Sequence, residues 1–395
     1  MKREKIFHIE KNVFFTGLTS FFTDTSAKMI YSVMPLFLLS IGASKTSISL
    51  IEGIAESTAS LIKAFSGYWS DKIGKNKPFM ILGYGITALI TPWYARVKFP
   101  VEVLFLRFFE RIGKGLRAAP RDSLISGSIP REEAGKNFGF HKAMDNSGAI
   151  AGPLAAFLLL SLFPLNYPNI FLFATIPALL GVATIVVFIK EAKNVPNGNH
   201  QPFQLKQLPR KYYRFLAVVF VFTLGNSADA LLLVKTAETG IDPSYVPFVY
   251  MIFNTVSVFL AIPVGKMSDR IGREKLIILG FFLYAVVYYF FGRFNTLSLF
   301  ILLFVFYGFY SALTDSSQKA LIADITGKEL RGTGFGIYHA VLGVTLLPAS
   351  LIAGILYDQV NSNAPFYFGS LMALVATVLM ILFTISEKKK TGRNL

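Results

Sequence analysis

The chain has 395 residues, of which 53% are hydrophobic and only 16% are charged, and its mean hydropathy is +0.53. Soluble domains carry about 25% charged residues, so this composition excludes an ordinary soluble domain and predicts an all-α membrane protein. Because cysteine is absent, the sequence also excludes a disulfide framework, a thiolate metal site and a cysteine nucleophile.

Apolar runs recur along the whole chain. A bilayer core about 30 Å thick requires roughly 20 mostly apolar helical residues. Runs of this kind predict twelve transmembrane helices, over residues 12–41, 46–69, 78–97, 101–126, 137–163, 168–189, 213–236, 244–265, 275–293, 297–323, 332–357 and 364–386. The first run is too long for a removable signal peptide, so we expect it to remain as a helix.

The formal net charge is +16, and the basic residues that produce it recur at regular positions along the chain. Basic residues cluster at alternate connections, within residues 2–11, 72–77, 131–136, 190–214, 266–275, 328–331 and 388–390. The intervening connections hold few, namely Lys45, Arg96, Lys98, Lys235 and Arg293. This positive-inside pattern predicts a cytoplasmic (plasma) membrane protein with both termini and the central loop in the cytoplasm. We expect the basic residues to attract membrane lipid headgroups, and we expect no nucleic-acid partner.

An internal repeat divides the chain. GYWSDKIGKNK at 67–77 reappears as GKMSDRIGREK at 265–275, and SLISGSIPREEAGKNFGF at 123–140 is echoed by ALIADITGKELRGTGFGI at 320–337. Both pairs have nearly the same offset, which indicates a duplicated six-helix unit. The expected domains are an N-terminal six-helix bundle at 1–190, a cytoplasmic central loop at 191–212 and a C-terminal six-helix bundle at 213–395.

The repeated loop resembles the G-x-x-x-D-[RK]-x-G-[RK] motif of the major facilitator superfamily of secondary transporters. The matching residues are Gly67, Asp71, Lys72, Gly74 and Lys75, with the copy at Gly265, Asp269, Arg270, Gly272 and Arg273. The resemblance covers the whole chain and implies that family's fold. It also implies that these residues form a conformational latch, which Asp122 would complete, on the cytoplasmic side.

The fifth segment contains a glycine pattern. Gly139, Gly148, Gly152 and Pro153 resemble the family's G-x8-G-x3-G-P-x2-G-G pattern, although Ala155 and Ala156 replace the last two glycines. The pattern resembles one associated with antiporters. The alternative is close helix packing by small residues, which occurs in transporters of every coupling mode.

The fourth segment carries charge into the membrane. An ionisable residue facing lipid at the centre of a helix costs about 2.5–3.5 kcal/mol, so these side chains must face protein or water. At about 3.6 residues per turn, one face holds the charges and the other is aromatic. The charged face holds Arg107, Glu110, Arg111, Lys114 and Arg117, and the other holds Phe105, Phe108 and Phe109. The stretch resembles the family's R-x-x-[QE]-G-x-G motif, with Arg111 in place of the first glycine.

Ionisable partners are expected on other segments. They are Asp24, Lys28, Glu52, Glu56 and Asp145 in the first half, and Asn226, Asp229 and Asp315 could contribute in the second. The set could be a self-neutralising ion-pair network. Since basic residues outnumber acidic ones on the fourth segment, it could also be an anion site, with Arg107, Arg111 and Arg117 as the leading contacts. Proton coupling would need a titrating carboxylate, and Asp24, Glu52, Glu56 and Asp145 remain unranked candidates.

The resulting hypothesis is a secondary active transporter that works by alternating access as a monomer. It is expected to be proton-coupled, to move a small anionic organic solute or an anionic chelate, and to need no cofactor or metal. It is not expected to be an enzyme. ATP hydrolysis in particular is not expected, since GKG at 113–115 lacks the upstream glycine spacing of a phosphate-binding loop. One alternative is a proton antiporter exporting drug-like lipophilic compounds. Another is a non-transporting receptor or lipid-handling protein on the same scaffold.

Overall fold

A computed structural model describes residues 5–73, 75–129, 133–191, 208–226, 228–327 and 330–390. Within these ranges it gives the side chains of all residues except 67–73, 134–135, 269, 331 and 388–390. The described chain is almost entirely helical, which confirms the expected helical class.

Thirteen α-helices are present in the described ranges. They are α1 (Lys11–Ser40), α2 (Lys45–Ile73), α3 (Lys77–Ile90), α4 (Pro100–Ser128), α5 (Ala134–Leu162), α6 (Tyr167–Phe188), α7 (Arg210–Gly225), α8 (Ala230–Ala237), α9 (Val246–Ile271), α10 (Arg273–Arg293), α11 (Leu297–Thr326), α12 (Arg331–Ile355) and α13 (Ala364–Lys390). A short 3-10 turn at Thr91–Arg96 follows α3, and another at Pro243–Tyr245 precedes α9. A π-turn at Leu356–Val360 extends α12.

Within the described residues, eight helical stretches are long and apolar enough to cross a membrane. They are Lys136–Leu162, Tyr167–Phe188, Arg210–Ala237, Pro243–Ser268, Arg273–Arg293, Leu297–Thr326, Gly332–Val360 and Ala364–Glu387. Helices α1, α2 and α4 are 30, 29 and 29 residues long, which exceeds the bilayer core at about 1.5 Å per residue, but they are more polar. Helix α3 has only 14 residues before its 3-10 turn.

The predicted segment over 213–236 corresponds to the apolar stretch Arg210–Ala237, but the structure divides it into two helices. Helix α7 ends at Gly225 and α8 begins at Ala230. The Tyr284 hydroxyl donates to the Gly225 carbonyl oxygen at 3.0 Å, so a carbonyl released by the break has a partner. Within a membrane such a break is tolerated where neighbouring side chains satisfy the freed backbone groups, as Tyr284 does here.

The chain divides into two compact units. Unit 1 comprises Met1–Ala43, Thr58–His200 and Asp242–Met251, and unit 2 comprises Ser44–Ser57, Gln201–Ile241 and Ile252–Leu395. Each unit therefore includes a short segment from the other half of the sequence. The start of α2 belongs to unit 2, and the start of α9 belongs to unit 1.

Close backbone approach holds unit 1 together. A Cβ atom at Gly113 would lie 2.5 Å from the Gly83 carbonyl oxygen, and one at Gly83 would lie 2.6 Å from the Gly113 oxygen, so α3 and α4 touch through their backbones. Helix α5 approaches α1 in the same way. A Cβ at Gly148 would lie 2.5 Å from the Phe21 oxygen, and one at Gly152 would lie 2.5 Å from the Thr25 oxygen. Small residues permit this separation.

Aromatic packing dominates unit 2. The rings of Phe222 and Phe281 stack with centroids 4.0 Å apart, and those of Tyr284 and Tyr288 stack at 3.9 Å. These residues join α7 to α10, and Tyr307 of α11 extends the cluster, with its centroid 6.0 Å from Tyr288.

A small β-hairpin precedes α1, which the sequence did not predict. Strands β1 (Lys5–Ile6) and β2 (Ile9–Glu10) pair antiparallel, and the Glu10 carboxylate accepts hydrogen bonds from the first backbone amides of α1. The amide of Asn12 then links three helix ends. Its Nδ2 donates to Ser128 Oγ and to the Lys190 carbonyl oxygen, both at 3.0 Å, and its Oδ1 accepts from the Lys190 backbone at 3.1 Å.

Candidate functional site: a cationic cluster around helix α4

Helix α4 has a charged interior face and an aromatic exterior face, as expected. Arg107, Glu110, Arg111 and Arg117 are only 1%, 4%, 5% and 6% exposed. On the other side Phe105, Phe108 and Phe109 are 59%, 37% and 50% exposed. Lys114 differs from these four buried residues, since its side chain is exposed.

Arg107 is anchored by an acid and a tyrosine. Its Nη1 donates to Glu110 Oε2 at 3.0 Å, and the same carboxylate oxygen accepts from the Tyr94 hydroxyl at 2.8 Å. Tyr94 is completely buried in the 3-10 turn after α3. The carboxylate of Glu110 therefore balances Arg107 and fixes its orientation, and Tyr94 in turn holds the carboxylate.

Lys28 of α1 completes the cluster. Its Nζ donates to the Tyr250 hydroxyl at 3.0 Å and lies 5.5 Å and 5.1 Å from the ring centroids of Tyr31 and Tyr250. Arg107 lies 5.6 Å from the Tyr31 ring, so this ring has two cations close to it. Lys28 and Tyr31 are only partly buried, so they are more accessible than Arg107.

Three tyrosines of this cluster were missed in the sequence. Tyr31 lies three residues after Lys28 and therefore on the same helical face, a signal that could have found it. Tyr94 and Tyr250 are far from Lys28 in the sequence, and no local pattern distinguishes them.

Arg117 contacts α3 instead. Its Nη1 donates to Thr87 Oγ1 at 3.0 Å, and its guanidinium lies 4.2 Å from the Tyr84 ring centroid. The close backbone approach of α3 and α4 makes both contacts possible. Arg117 is therefore engaged with the neighbouring helix α3.

Asp24 and Asp145 are brought together between α1 and α5. Their carboxyl groups are close enough to interact electrostatically. Asp145 also pairs with Lys142 at 3.0 Å and lies 3.9 Å from Arg121. Both carboxyl groups are partly buried, at the level where Gly148 lets the two helices touch.

Gly139 differs from the other glycines of its pattern. A Cβ atom there would meet no atom within 4 Å, whereas Gly148 and Gly152 contact α1 directly. Gly148 and Gly152 therefore lie on the side of α5 that packs against α1, and Gly139 does not. Pro153 lies within α5.

Several predicted latch residues lie outside the described part of the chain. These are Gly74, the surroundings of Gly67, and the side chains of Asp71, Lys72 and Asp269. Lys75 and Arg270 are described and are exposed.

The other predicted latch residues are described. Asp122 pairs with the adjacent Arg121 at 3.0 Å, and Arg273 pairs with Asp324 of α11. Gly272 has φ of +102°, a conformation that side-chain-bearing residues rarely adopt, so its place in the α9–α10 turn is explained. At Gly265 a Cβ would meet nothing within 4 Å.

The predicted second-half residues lie at the break between α7 and α8. Tyr307 donates to Asp229 Oδ1 at 2.7 Å, and Asn226 Nδ2 donates to the Tyr310 hydroxyl at 3.2 Å. Asp315 is exposed on α11. Glu52 is fully buried and Glu56 partly buried, both in the α2 segment of unit 2. Among the described residues, no group of three or more His, Cys, Asp or Glu side chains could hold a metal.

Comparison with known proteins identifies the family. The model of the Major Facilitator Superfamily matches residues 16–234 and 214–395. An uncharacterized MFS-type transporter of Methanocaldococcus jannaschii is 33% identical over 383 residues, which cover 94% of this chain and 95% of that protein. The multi-drug resistance efflux pump PmrA of Streptococcus pneumoniae is 24% identical over 283 residues, covering 68% of this chain and 70% of the pump.

Solved structures show the same fold. A POT family transporter in complex with 5-aminolevulinic acid superposes with a TM-score of 0.83 at 12% identity, covering 97% of this chain and 98% of the other. The chain belongs to the major facilitator superfamily, which confirms the resemblance seen in its motifs. It is therefore a multi-pass membrane transporter and not an enzyme.

Proposed function

We propose that the protein is a secondary active transporter that moves a small organic anion or an anionic chelate by alternating access. In this proposal twelve segments cross the plasma membrane as two six-helix repeats, at 1–190 and 213–395. The central loop and both termini lie in the cytoplasm. The alternation of basic connections supports this orientation.

The observation that carries the anion proposal is the charge of the cluster around α4. Three arginines and one glutamate are buried on this helix, and Lys28 lies beside them. A surplus of positive charge in a dry interior favours a ligand that brings negative charge. Because Lys28 is accessible and Arg107 is held by Glu110, Lys28 makes the direct contact, and Arg107 and Arg111 supply positive potential behind it.

The pair formed by Asp24 and Asp145 supports proton coupling. Two ionised carboxylates at one site repel each other, and this repulsion favours a proton on one of them. Lys142 and His141 of α5 and Lys114, Arg117 and Arg121 of α4 are the charged or titratable groups around the pair. A partly exposed pair that holds one proton is suited to exchange it during transport.

One alternative is proton-driven export of drug-like compounds. The similarity to the efflux pump PmrA and the glycine contacts of α5 with α1 favour it. A non-transporting receptor or lipid-handling protein is the alternative of another class. It would bind a ligand without moving it across a vesicle membrane.

A ligand screen on the purified protein tests the anion proposal. Thermal unfolding is followed with acetate, succinate, citrate and ferric citrate, and with lipophilic cations for the export alternative. A ligand at about 100 times its Kd stabilises the folded state by about 2.7 kcal/mol. We expect an anion to stabilise the parent protein and the exposed-cation control Arg293→Gln equally, and Lys28→Gln much less.

Three results would count against this function. Stabilisation by lipophilic cations alone would favour the export alternative. Equal anion stabilisation of Lys28→Gln and Arg293→Gln would remove Lys28 from the site. Binding without any flux in proteoliposomes would support the non-transporting alternative.

A further inference from the structure

The tip of the N-terminal hairpin is unusual in two respects. Phe7 and His8 have φ of +49° and +64°, in the left-handed region that non-glycine residues rarely occupy. The Phe7 side chain is also 85% exposed. A two-residue hairpin turn requires positive φ at both central residues, so the pairing of Ile6 with Ile9 fixes Phe7 and His8 at the tip.

The hairpin is firmly attached to the rest of unit 1. Lys5 Nζ contacts both carboxylate oxygens of Glu133, at 2.7 and 2.9 Å, and Lys136 Nζ donates to the His8 carbonyl oxygen at 2.8 Å. The hydrogen bond from Lys5 lowers the pKa of the Glu133 carboxyl, so this ion pair is present at neutral pH. Ile9 is buried with residues of α1 and of the end of α4, so the exposed Phe7 does not reflect a loosely held segment.

An aromatic surface continues from the tip along the helix ends. Phe7 lies 6.2 Å from Phe14 between ring centroids, and Phe14 stacks on Phe140 at 5.8 Å. Beside them Phe15 stacks on Phe188 at 4.4 Å, and Phe188 is 45% exposed on α6, a helix apolar enough to cross the membrane. Phe7 therefore stands at the edge of a lipid-compatible surface, and an apolar ring in such a place can bury at the boundary of headgroups and acyl chains.

The same end of unit 1 is basic. Lys5 and Lys136 bind the hairpin, Lys11 begins α1 and Lys190 follows α6, and all four side chains are at least partly exposed. A basic surface beside an exposed aromatic residue fits an anionic headgroup layer, which attracts lysines near the membrane surface.

We propose that residues 5–10 form an interfacial anchor for an anionic phospholipid surface. Phe7 enters the headgroup region and the surrounding lysines contact the acidic headgroups. Because Lys5 and Lys136 bind the hairpin to the start of α5, lipid binding also braces that helix end. This anchor is independent of the identity of the transported molecule.

The absence of cysteine allows a site-specific test. His8→Cys, labelled with an environment-sensitive fluorophore, is placed in nanodiscs of phosphatidylcholine alone or mixed with phosphatidylglycerol. We expect a blue shift of the emission that is larger with phosphatidylglycerol. Phe7→Ser added to this background should abolish the shift, and Phe7→Leu should keep most of it.

Phe99→Ser is the matched control, since Phe99 is also exposed, at 62%, but precedes the opposite end of α4. It should leave the emission unchanged. Water-like emission in both lipids, or a shift that survives Phe7→Ser, would overturn the anchor. An equal shift in both lipids would overturn the preference for anionic headgroups. None of these outcomes depends on transport or ligand binding.

Discussion

Lys28 and Arg107 share a tyrosine ring but differ in exposure, and this difference assigns them different roles. Arg107 is buried and paired with Glu110, whereas Lys28 is partly exposed and bonded to Tyr250. A buried ion pair is weak evidence for stability but fixes geometry well. We therefore interpret Arg107 as a positioning residue, although the sequence suggested it as a leading contact.

Tyr94 offers a test of that interpretation at the residue scale. Tyr94→Phe removes the hydroxyl that donates to Glu110 and leaves a buried carboxylate with one donor fewer. We expect a loss of about 1–3 kcal/mol in stability, because a buried charged group loses a hydrogen bond. Thermal unfolding in a fixed detergent measures it.

Tyr289→Phe is the control, because Tyr289 is 48% exposed. It should change the melting temperature little. If both variants have the melting temperature of the parent protein, the Tyr94 hydroxyl does not stabilise the cluster around Arg107.

At the scale of the helices, α5 packs closely against α1 at two glycines, Gly148 and Gly152. A Cβ at Gly148 would lie 2.5 Å from a backbone oxygen, which cannot move without moving α1. Gly148→Ala should therefore destabilise the protein by about 1–3 kcal/mol, the usual cost of overpacking. The melting temperature of the purified variant measures this.

Gly139→Ala is a matched control on the same helix, since a Cβ there meets nothing within 4 Å. It should be neutral or slightly stabilising, because alanine favours a helix over glycine by about 1 kcal/mol. If Gly148→Ala were as stable as Gly139→Ala, α1 and α5 would not be as tightly packed as the structure shows.

The elements also show what the sequence could predict. The spacing of apolar residues indicates where helices lie. The positions of charged residues indicate which helical face points inward, because lipid excludes charge. The exposure pattern of α4 was therefore predictable. The break after Gly225 was not, since Asn226 and Asp229 lie in an otherwise apolar helical pattern and the bond from Tyr284 comes from α10. The hairpin was missed because phenylalanine and histidine at positive φ have no sequence signature.

For the molecule as a whole, the family and the multi-pass architecture were predictable because a duplicated motif at a constant offset is a long-range signal. The composition of the site was predictable only in part. Helix α4 shows its charges locally, but Tyr94 and Tyr250 enter the site through the tertiary fold, which one sequence does not encode in any nearby pattern.

For the whole molecule we predict flux that is driven by a pH gradient. In proteoliposomes with the anion found by thermal shift, a pH gradient should drive accumulation in the parent protein. Asp24→Asn and Asp145→Asn should each lose gradient-driven accumulation, since a single carboxyl cannot share a proton in the same way. Exchange of labelled for unlabelled anion should persist.

Glu102→Gln is the control, because Glu102 is an exposed acid at the other end of α4 that accepts hydrogen bonds from the backbone of Lys98 and Phe99. It should retain accumulation. Gradient-driven accumulation by both pair variants at the parent rate would remove the pair from the coupling mechanism.

The bonds of Asn12 have a practical consequence for producing the protein. One amide side chain joins the start of α1 to the end of α4 and to the residue after α6. Trimming the chain to begin at α1, or joining a fusion partner directly before it, would displace the hairpin that aligns this amide. Affinity tags and fluorescent reporters are therefore better placed after α13, and shortened variants should keep the chain from Lys5 onward.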